Sequence, residues 1–172
     1  MSARIRTSPL ALLLLLLAVG CDRGDHPRQL GLLAPDIVIH DGARELRLDQ
    51  YRGKVVVLNF WASWCAPCLA EFPSLIDLQR KNPAIEVLAV SFDQDAAAYR
   101  QFLTDNHITG ITTILDLSQQ SNLAFGTTRP PESYIIGPEG HIRRKFIGPV
   151  DWTTPEIQEF ISRLERGDRL RT

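Results

Sequence analysis

An apolar run leads directly into two closely spaced cysteines, and this junction constrains the fold more than any other stretch of the chain. Residues 55–61 read VVVLNFW, and after a short turn Cys65, Ala66, Pro67 and Cys68 open an amphipathic segment. A run that is apolar on both faces is typical of a parallel strand covered on both sides. Pro67 suits a first helical turn, where its missing N–H has no intrahelical partner. The junction therefore predicts a buried central strand that delivers two cysteines to a helix start.

The segment after the cysteines continues as a helix with one apolar face. Side chains at spacings of three and four predict a stripe that faces the sheet, and these are Leu69, Phe72, Leu75, Ile76 and Gln79. Pro73 falls inside this helix, and it predicts a kink there.

The position of the two cysteines predicts their chemistry. At a helix N-terminus, Cys65 meets the positive end of the peptide dipoles and unpaired N–H groups, which favour a nucleophilic thiolate. Cys68 lies one turn deeper on the same face, within reach of a disulfide, so it is expected to resolve a mixed disulfide. Ala66 and Pro67 add neither charge nor hydrogen bonds that would stabilise the thiolate, which favours a reductant.

Two other uses of a cysteine pair are less consistent with the sequence. Half a zinc site would need further ligands, but no second cysteine pair is present. The histidines are scattered along the chain, at His26, His40, His107 and His141. A structural disulfide across so short a loop would constrain little of the unfolded chain. We therefore expect redox use of the pair, with no metal and no cofactor.

The sequence around the cysteines also resembles a known family. The run NFWASWCAPC at 59–68, followed by Glu71 and Pro73, resembles the thioredoxin superfamily, and more narrowly the TlpA/ResA-type thiol:disulfide reductants of bacteria. The resemblance extends from Leu33 to the C-terminus. It implies an α/β thioredoxin-like fold in residues 34–172, with a mixed central sheet flanked by helices, an N-terminal β-hairpin and a central β-α insertion. It also implies work outside the cytoplasm.

The N-terminus has the pattern of an export signal. Residues 1–20 carry Arg4 and Arg6 and then an apolar run over 10–19, too short to span a bilayer, which takes about twenty residues. The four residues that end at Cys21 resemble the lipobox of bacterial lipoproteins, although alanine stands where leucine is usual. Lipid attachment at Cys21 is the expected outcome, and the alternatives are plain cleavage or an uncleaved anchor.

Cysteine number and charge agree with an exported, membrane-anchored protein. Once Cys65 and Cys68 pair, an odd thiol remains, and lipidation of Cys21 accounts for it. Residues 21–33 are polar with no periodicity, which predicts a tether that holds the domain near the membrane surface. Without residues 1–20 the chain keeps 17 basic and 20 acidic side chains, net −3. Nothing in this balance indicates nucleic acid, and the length suits one domain.

The rest of the chain alternates strand and helix patterns. In order, these are a hairpin over 35–48, a strand over 85–92, a helix over 96–106 capped by Asp93 or Asp95, a strand over 112–116, a helix capped by Ser118 and ended by Gly126, a hairpin over 132–147, and a helix starting at Thr154 and Pro155. The strand–helix–strand order requires a parallel, right-handed crossover. By the resemblance, the 112–126 block is the insertion, which serves either partner choice or scaffolding.

Two prolines carry the next prediction. A proline before a strand is often only an edge marker. Alignment with the family, however, places Pro131 at the cis-proline beside the disulfide, where it keeps metals off the thiols. The residue before it would pair its backbone with an extended substrate segment. Here that residue is Pro130, which has no N–H, so we expect a weaker or differently oriented grip on peptides.

Proton transfer needs a further group. By the resemblance, Asn59 stands where thioredoxin has a buried aspartate, and an amide takes no proton. Glu71 lies three residues after Cys68, over the same helix face, so its carboxylate could accept the proton of the resolving thiol. The alternative is a solvated helix glutamate.

Aromatic and basic side chains outside the helix receive simpler interpretations. Trp64, just before Cys65, is expected to be a flat apolar docking face, whereas Trp61 and Trp152 are interpreted as packing residues. The basic run 143–145 is interpreted as edge-strand charge that discourages aggregation, with a docking patch as the alternative.

These observations predict an enzyme, a thiol:disulfide oxidoreductase that works as a reductant outside the cytoplasm. By the resemblance, the leading substrate is apocytochrome c awaiting haem attachment, and a membrane thiol carrier would restore the dithiol. A general disulfide reductase or an oxidant is the second interpretation. A copper-carrying lipoprotein is the third, although such carriers add a histidine or methionine ligand and the one methionine is Met1.

Overall fold

A computed structural model describes residues 29–167. The strands are β1 (Val38–Asp41), β2 (Arg44–Arg47), β3 (Val56–Trp61), β4 (Glu86–Ser91), β5 (Thr112–Leu115), β6 (Glu132–Ile136) and β7 (Ile142–Ile147). The helices are α1 (Ala66–Lys81), α2 (Ala96–Asp105), α3 (Gln120–Ala124) and α4 (Pro155–Glu165), and Leu48–Tyr51 forms a 3₁₀ turn. None of the helices in these residues has the length and apolar character needed to cross a bilayer.

Within the described residues, five strands form one mixed sheet in the order β5-β4-β3-β6-β7. β3 pairs parallel with β4 and antiparallel with β6, while β4 and β5 are parallel and β6 and β7 antiparallel. All six residues of β3 are buried. The prediction of a central strand, and of a thioredoxin-like mixed sheet flanked by helices, is confirmed.

The two faces of β3 pack against different layers. On one face lie the side chains of the β1–β2 hairpin, and this cluster includes Ile39, Leu46, Val56, Leu58 and Phe60. On the other face lie α1 and α4, and this cluster includes Val57, Leu75, Leu78, Ile157 and Ile161. Because neither face of β3 meets water, the strand is fixed between layers and holds its C-terminal end in one place.

The start of the domain differs from the prediction. The amide of Gly31 donates to the carbonyl of Ile142 at 2.8 Å, and the amide of Ile142 donates to the carbonyl of Leu32 at 2.8 Å. Leu33 forms a bridge with His141. Residues 29–33 are therefore part of the folded domain, and the prediction that the tether extends to Leu33 is wrong. The export signal, Cys21 and the rest of the predicted tether lie outside the described residues.

Helix α1 keeps its predicted start, and Phe72 and Leu75 of the predicted stripe are fully buried, but the stripe is wrong at Leu69. Pro73 lies within one uninterrupted helix. Leu69 was expected to face the sheet, yet its side chain is 40% exposed. Each helical residue turns about 100° from the last, so Leu69 points away from the face that Cys68 shares with Phe72 and Leu75. The core face instead includes Leu78, which the predicted stripe omitted.

Two predicted helix caps are present. The carboxylate of Asp95 accepts from the amides of Ala97 and Ala98, so it caps α2 as predicted. The residue directly before α3 is Gln119, which has a left-handed backbone and forms no side-chain cap. The hydroxyl of Ser118 nevertheless accepts from the amide of Gln120 at 3.3 Å, so Ser118 caps α3 as predicted, from one position further out. The predicted central β-α segment is present as β5 and α3, with β5 at one edge of the sheet.

Candidate active site

The two cysteines lie at the junction between β3 and α1. Cys65 is the N-cap residue of α1, and its sulfur accepts from the amide of Cys68 at 3.2 Å. The two residues form a disulfide with their Cα atoms 5.3 Å apart. A sulfur at this position receives an N–H and the positive end of the helix, which stabilises negative charge on it. The arrangement can therefore perform thiol–disulfide exchange through Cys65.

The turn before Cys65 is held by a buried carboxylate that the sequence interpretation assigned only a possible capping role. Asp93 accepts from the amide of Ser63 at 2.8 Å and from its hydroxyl at 2.8 Å. The hydroxyl of Ser91 also donates to Asp93 at 2.7 Å. Because Ser91 is opposite Trp61 in the β3–β4 register, Asp93 emerges at the same sheet edge as the turn. It fixes the loop that presents Cys65.

An open groove lies beside this turn. Trp64 is 67% exposed, and its ring meets Phe92 edge-on with the centroids 6.3 Å apart. These rings line a groove of about 540 Å³ together with Asp95, Gln119 and Thr128. Gln119 belongs to the central β-α segment, so the predicted insertion contributes to the surface next to the thiol pair.

The predicted cis-proline lies at the same end of the sheet. The Pro130–Pro131 peptide bond is cis, as predicted. Glu132 pairs with Phe60 in the β3–β6 register, so Pro131 stands where β3 ends and the turn towards Cys65 begins. Pro131 is buried and Pro130 half-buried. The sheet therefore brings the prolines and the thiol pair to one edge.

Glu71 is buried, so the alternative of a solvated helix glutamate is wrong. Its side chain is 3% exposed, and its Oε1 accepts from the indole Nε1 of Trp152 at 2.6 Å. Its Oε2 accepts from Nδ2 of Asn59 at 3.3 Å. Burial raises the pKa of Glu71 to about 7, partly offset by the hydrogen bonds of Trp152, the Val150 backbone and Asn59. A carboxyl group with this pKa exchanges protons readily near neutral pH.

The role of Trp152 goes beyond the packing expected from the sequence. Its ring is fully buried and meets Phe146 edge-on at 5.3 Å. Its indole N–H is nevertheless directed at the Glu71 carboxylate, 81 positions away in the chain. Trp152 and Asn59 thus each donate to a different oxygen of Glu71.

The interpretation of residues 143–145 as exposed edge charges fails for Lys145. Its ammonium lies 3.1 Å from the Glu132 carboxylate, with both side chains almost fully buried. A register irregularity occurs at Ile135/Ile136, where Ile136 pairs with Ile142 and Ile135 with Arg144. Between these two pairs β7 has one residue more than β6, which reverses the alternation of its side chains. Lys145 therefore lies on the same buried face of the sheet as Ile142. The ion pair sits directly after Pro131, at the start of β6.

Within residues 29–167 no cluster of three or more histidine, cysteine or acidic side chains is placed to hold a metal ion. The chemical groups assembled at this edge are a sulfur pair, a buried carboxyl group and an exposed aromatic ring. A mixed sheet with a CXXC disulfide at a helix N-terminus and a cis-proline at the same edge defines a thioredoxin-fold thiol:disulfide oxidoreductase.

The sequence profile of the family described as Redoxin matches residues 29–161, and the chain belongs to that family. It is 28% identical over 138 residues to the thiol-disulfide oxidoreductase ResA of Bacillus subtilis, which covers 78% of this chain and 75% of ResA. It is 30% identical over 138 residues to ResA of Geobacillus thermodenitrificans, with 78% of each chain covered. The thiol:disulfide interchange protein DsbE of Pseudomonas aeruginosa is 31% identical over 113 residues, covering 66% of this chain and 62% of DsbE.

A solved structure agrees with these relatives. The crystal structure of a DsbE-type thiol:disulfide interchange protein from Chlorobium tepidum matches with a TM-score of 0.68 at 27% identity, covering 81% of this chain and 96% of that one. The predicted enzyme class is confirmed: the chain is a thiol:disulfide oxidoreductase of the ResA/DsbE type.

Proposed function

We propose that this enzyme is a reductant that works outside the cytoplasm, with Cys65 as nucleophile, Cys68 as resolving thiol and Glu71 as proton acceptor. The observation that carries the proposal is the placement of the Cys65 sulfur at the N-cap of α1, with a buried carboxyl group one turn beyond Cys68. A helix N-terminus activates the first sulfur, and the i, i+3 spacing puts Glu71 over the face of Cys68.

The reaction proceeds in two exchanges. The Cys65 thiolate attacks a substrate disulfide, forms a mixed disulfide and releases one substrate thiolate. The Cys68 thiol then gives its proton to the Glu71 carboxylate and attacks the Cys65 sulfur. The Cys65–Cys68 disulfide closes, the second substrate thiolate leaves, and two electrons have passed to the substrate. Glu71 returns its proton to solvent before the next cycle.

The direction of transfer follows from what stabilises the thiolate. Ala66 and Pro67 contribute no charge or side-chain hydrogen bond to either sulfur, so the reduced form gains little beyond the helix terminus. We expect a reduction potential near or below thioredoxin's value of about −270 mV. A potential far above that value would identify an oxidant.

The groove beside Trp64 is proposed to receive the substrate segment that flanks the target cysteine. Trp64 supplies a flat exposed face, and Gln119 and Thr128 border the same groove. Pro131 and Pro130 lie at the same end of the sheet, and Pro130 has no N–H to donate to a substrate backbone. The substrate is thus held by apolar contact more than by backbone pairing.

The cellular setting is also a proposal. The export-type N-terminus with its lipobox-like end at Cys21 and the likeness to ResA and DsbE support a membrane-anchored lipoprotein. Its electrons would come from a membrane thiol carrier. Labelled palmitate should enter the wild-type protein but not Cys21→Ser, and equal labelling of both would contradict lipidation at Cys21.

Apocytochrome c is the proposed substrate, and trapping tests it. In Cys68→Ala the resolving step is blocked, so the mixed disulfide on Cys65 should accumulate and carry the substrate with it. Cys65→Ala serves as the matched control, because it keeps one thiol at the same site. Recovery of apocytochrome c with Cys68→Ala but not with the control supports the proposal. A broad mixture of exported proteins instead would identify a general disulfide reductase.

A further inference from the structure

We propose that Trp152 is a positioning residue for this reaction: its indole N–H holds the Glu71 carboxylate in place to accept the proton of Cys68. The inference rests on the proposed role of Glu71. It assigns to Trp152 a function that depends on one hydrogen bond, not on the bulk of the ring.

The indole is fixed by contacts on several sides. The backbone amide of Trp152 donates to the hydroxyl of Ser74 at 3.3 Å, and the side chain of Gln158 donates to the carbonyl of Trp152 at 2.8 Å. Ser74 lies one turn after Glu71 on α1, and its hydroxyl also donates to the Glu71 carbonyl at 2.9 Å. The ring packs edge-on against Phe146. A donor anchored to the same helix as its acceptor is pre-organised.

The two oxygens of Glu71 face partners with different capabilities. An indole N–H only donates, so Oε1 must present a lone pair to Trp152 whether or not the carboxyl group is protonated. Oε2 faces the Asn59 side chain, which can offer an N–H or, after rotation of the amide, a carbonyl oxygen. The incoming proton is therefore directed to Oε2. Trp152 thereby decides which oxygen takes part in the transfer.

The surroundings of Glu71 contain few competing charges. Two titratable side chains lie near Glu71: Cys68, one turn earlier on α1, which titrates only in the reduced protein, and Asp151 in the loop after β7, which borders a common cleft with Glu71. Asn59 and Ser133, which approach from the sheet, are neutral, and within residues 29–167 no charged side chain forms a hydrogen bond or an ion pair with Glu71. A cleft of about 320 Å³ is bordered by Glu71, Val150 and Asp151, so solvent lies close to this buried residue.

The protein also contains a matched comparison. Trp61 is as fully buried as Trp152, yet its indole N–H has no hydrogen-bond partner in the described part of the chain. Trp61→Phe and Trp152→Phe therefore remove the same N–H from equally buried rings. Only the second change removes a donor from Glu71.

The first readout is the titration of the Glu71 carboxyl carbon, followed by NMR in the oxidised full-length protein. Loss of a hydrogen bond to a carboxylate disfavours the ionised form, so Trp152→Phe should move the midpoint from about 7 upward by about one to two pH units. Trp61→Phe should leave it in place. An unchanged midpoint in Trp152→Phe overturns the proposal, and this readout needs no enzymatic activity.

The second readout is the rate of mixed-disulfide resolution against pH. Its acid limb should move upward in Trp152→Phe and not in Trp61→Phe, and it should be absent in Glu71→Gln. An unmoved limb in a folded Trp152→Phe overturns the positioning role. If that variant fails to fold, replacement of Trp152 by benzothienylalanine removes the N–H with the ring shape kept, and the same shift is expected. Failure of the wild-type protein to reduce disulfides would refute the proposed function separately.

Discussion

Glu71→Gln removes a carboxyl group whose pKa burial raises from 4.5 to about 7. Between these values the folded protein binds more protons at this site than the unfolded chain does. The free energy of unfolding therefore falls as pH rises through this window. A shift of about 2.5 units at about 1.36 kcal/mol per unit amounts to about 3 kcal/mol. This contribution is fully present below pH 4.5 and is lost as pH rises through about 7.

Urea denaturation of the oxidised wild-type and Glu71→Gln proteins, from about pH 4 to pH 8, measures this contribution. Subtracting the two profiles cancels the other titrating groups, and the wild-type advantage should shrink by about 3 kcal/mol across the range. Glu139→Gln is the matched control. Hydrogen bonding to its own backbone amide and to Arg143 lowers the pKa of this exposed carboxyl group. Removing it should give only a small difference, of opposite sign.

Two results would contradict a raised pKa at Glu71. A difference that stays constant over this pH range would mean that burial does not perturb the carboxyl group. A wild-type advantage that grows with pH would mean that the hydrogen bonds from Trp152 and Asn59 outweigh the cost of burying the charge.

Lys145→Met leaves the Glu132 carboxylate buried without its charged partner, so it should lower the free energy of unfolding, measured by urea denaturation, by about 3–5 kcal/mol. Lys54→Met breaks an exposed ion pair and should lower it by less than about 1 kcal/mol. Equal losses in the two variants would contradict the importance of burial. Pro130→Ala restores a backbone N–H and should slow release of a trapped substrate peptide, whereas unchanged release rates would argue against backbone pairing. Trp64→Ala should raise KM for a peptide disulfide about tenfold at unchanged melting temperature, and an unaltered KM would exclude Trp64 from docking.

The parts of the site that local sequence determines could be predicted. The apolar run of β3 identifies a strand without a wet face, and Pro67 marks the first turn of α1. The redox roles of Cys65 and Cys68 could be predicted from their position between these two elements. The cis bond at Pro131 came from the family resemblance and not from the residues themselves.

Contacts between distant segments could not be predicted in this way. A buried tryptophan reads the same in a sequence whether its N–H meets a carboxylate, as in Trp152, or nothing, as in Trp61. The side chain of Lys145 is buried because of a register irregularity, and no turn residue in the sequence indicates that irregularity. Gly31 joins the domain through backbone hydrogen bonds, which leave no hydrophobic period to detect.

The reactivity of Cys65 can be measured with a small neutral disulfide, bis(2-hydroxyethyl) disulfide, which needs no docking surface. Reduced Cys68→Ala and Cys65→Ala are each mixed with it, and adducts are counted by intact-protein mass spectrometry. If the start of α1 activates Cys65, one mercaptoethanol group should add rapidly to Cys65 in Cys68→Ala and slowly or not at all to Cys68 in Cys65→Ala. Equal rates in both variants, or an inert Cys65 in a protein with a native circular dichroism spectrum, would contradict activation of that sulfur by the start of α1.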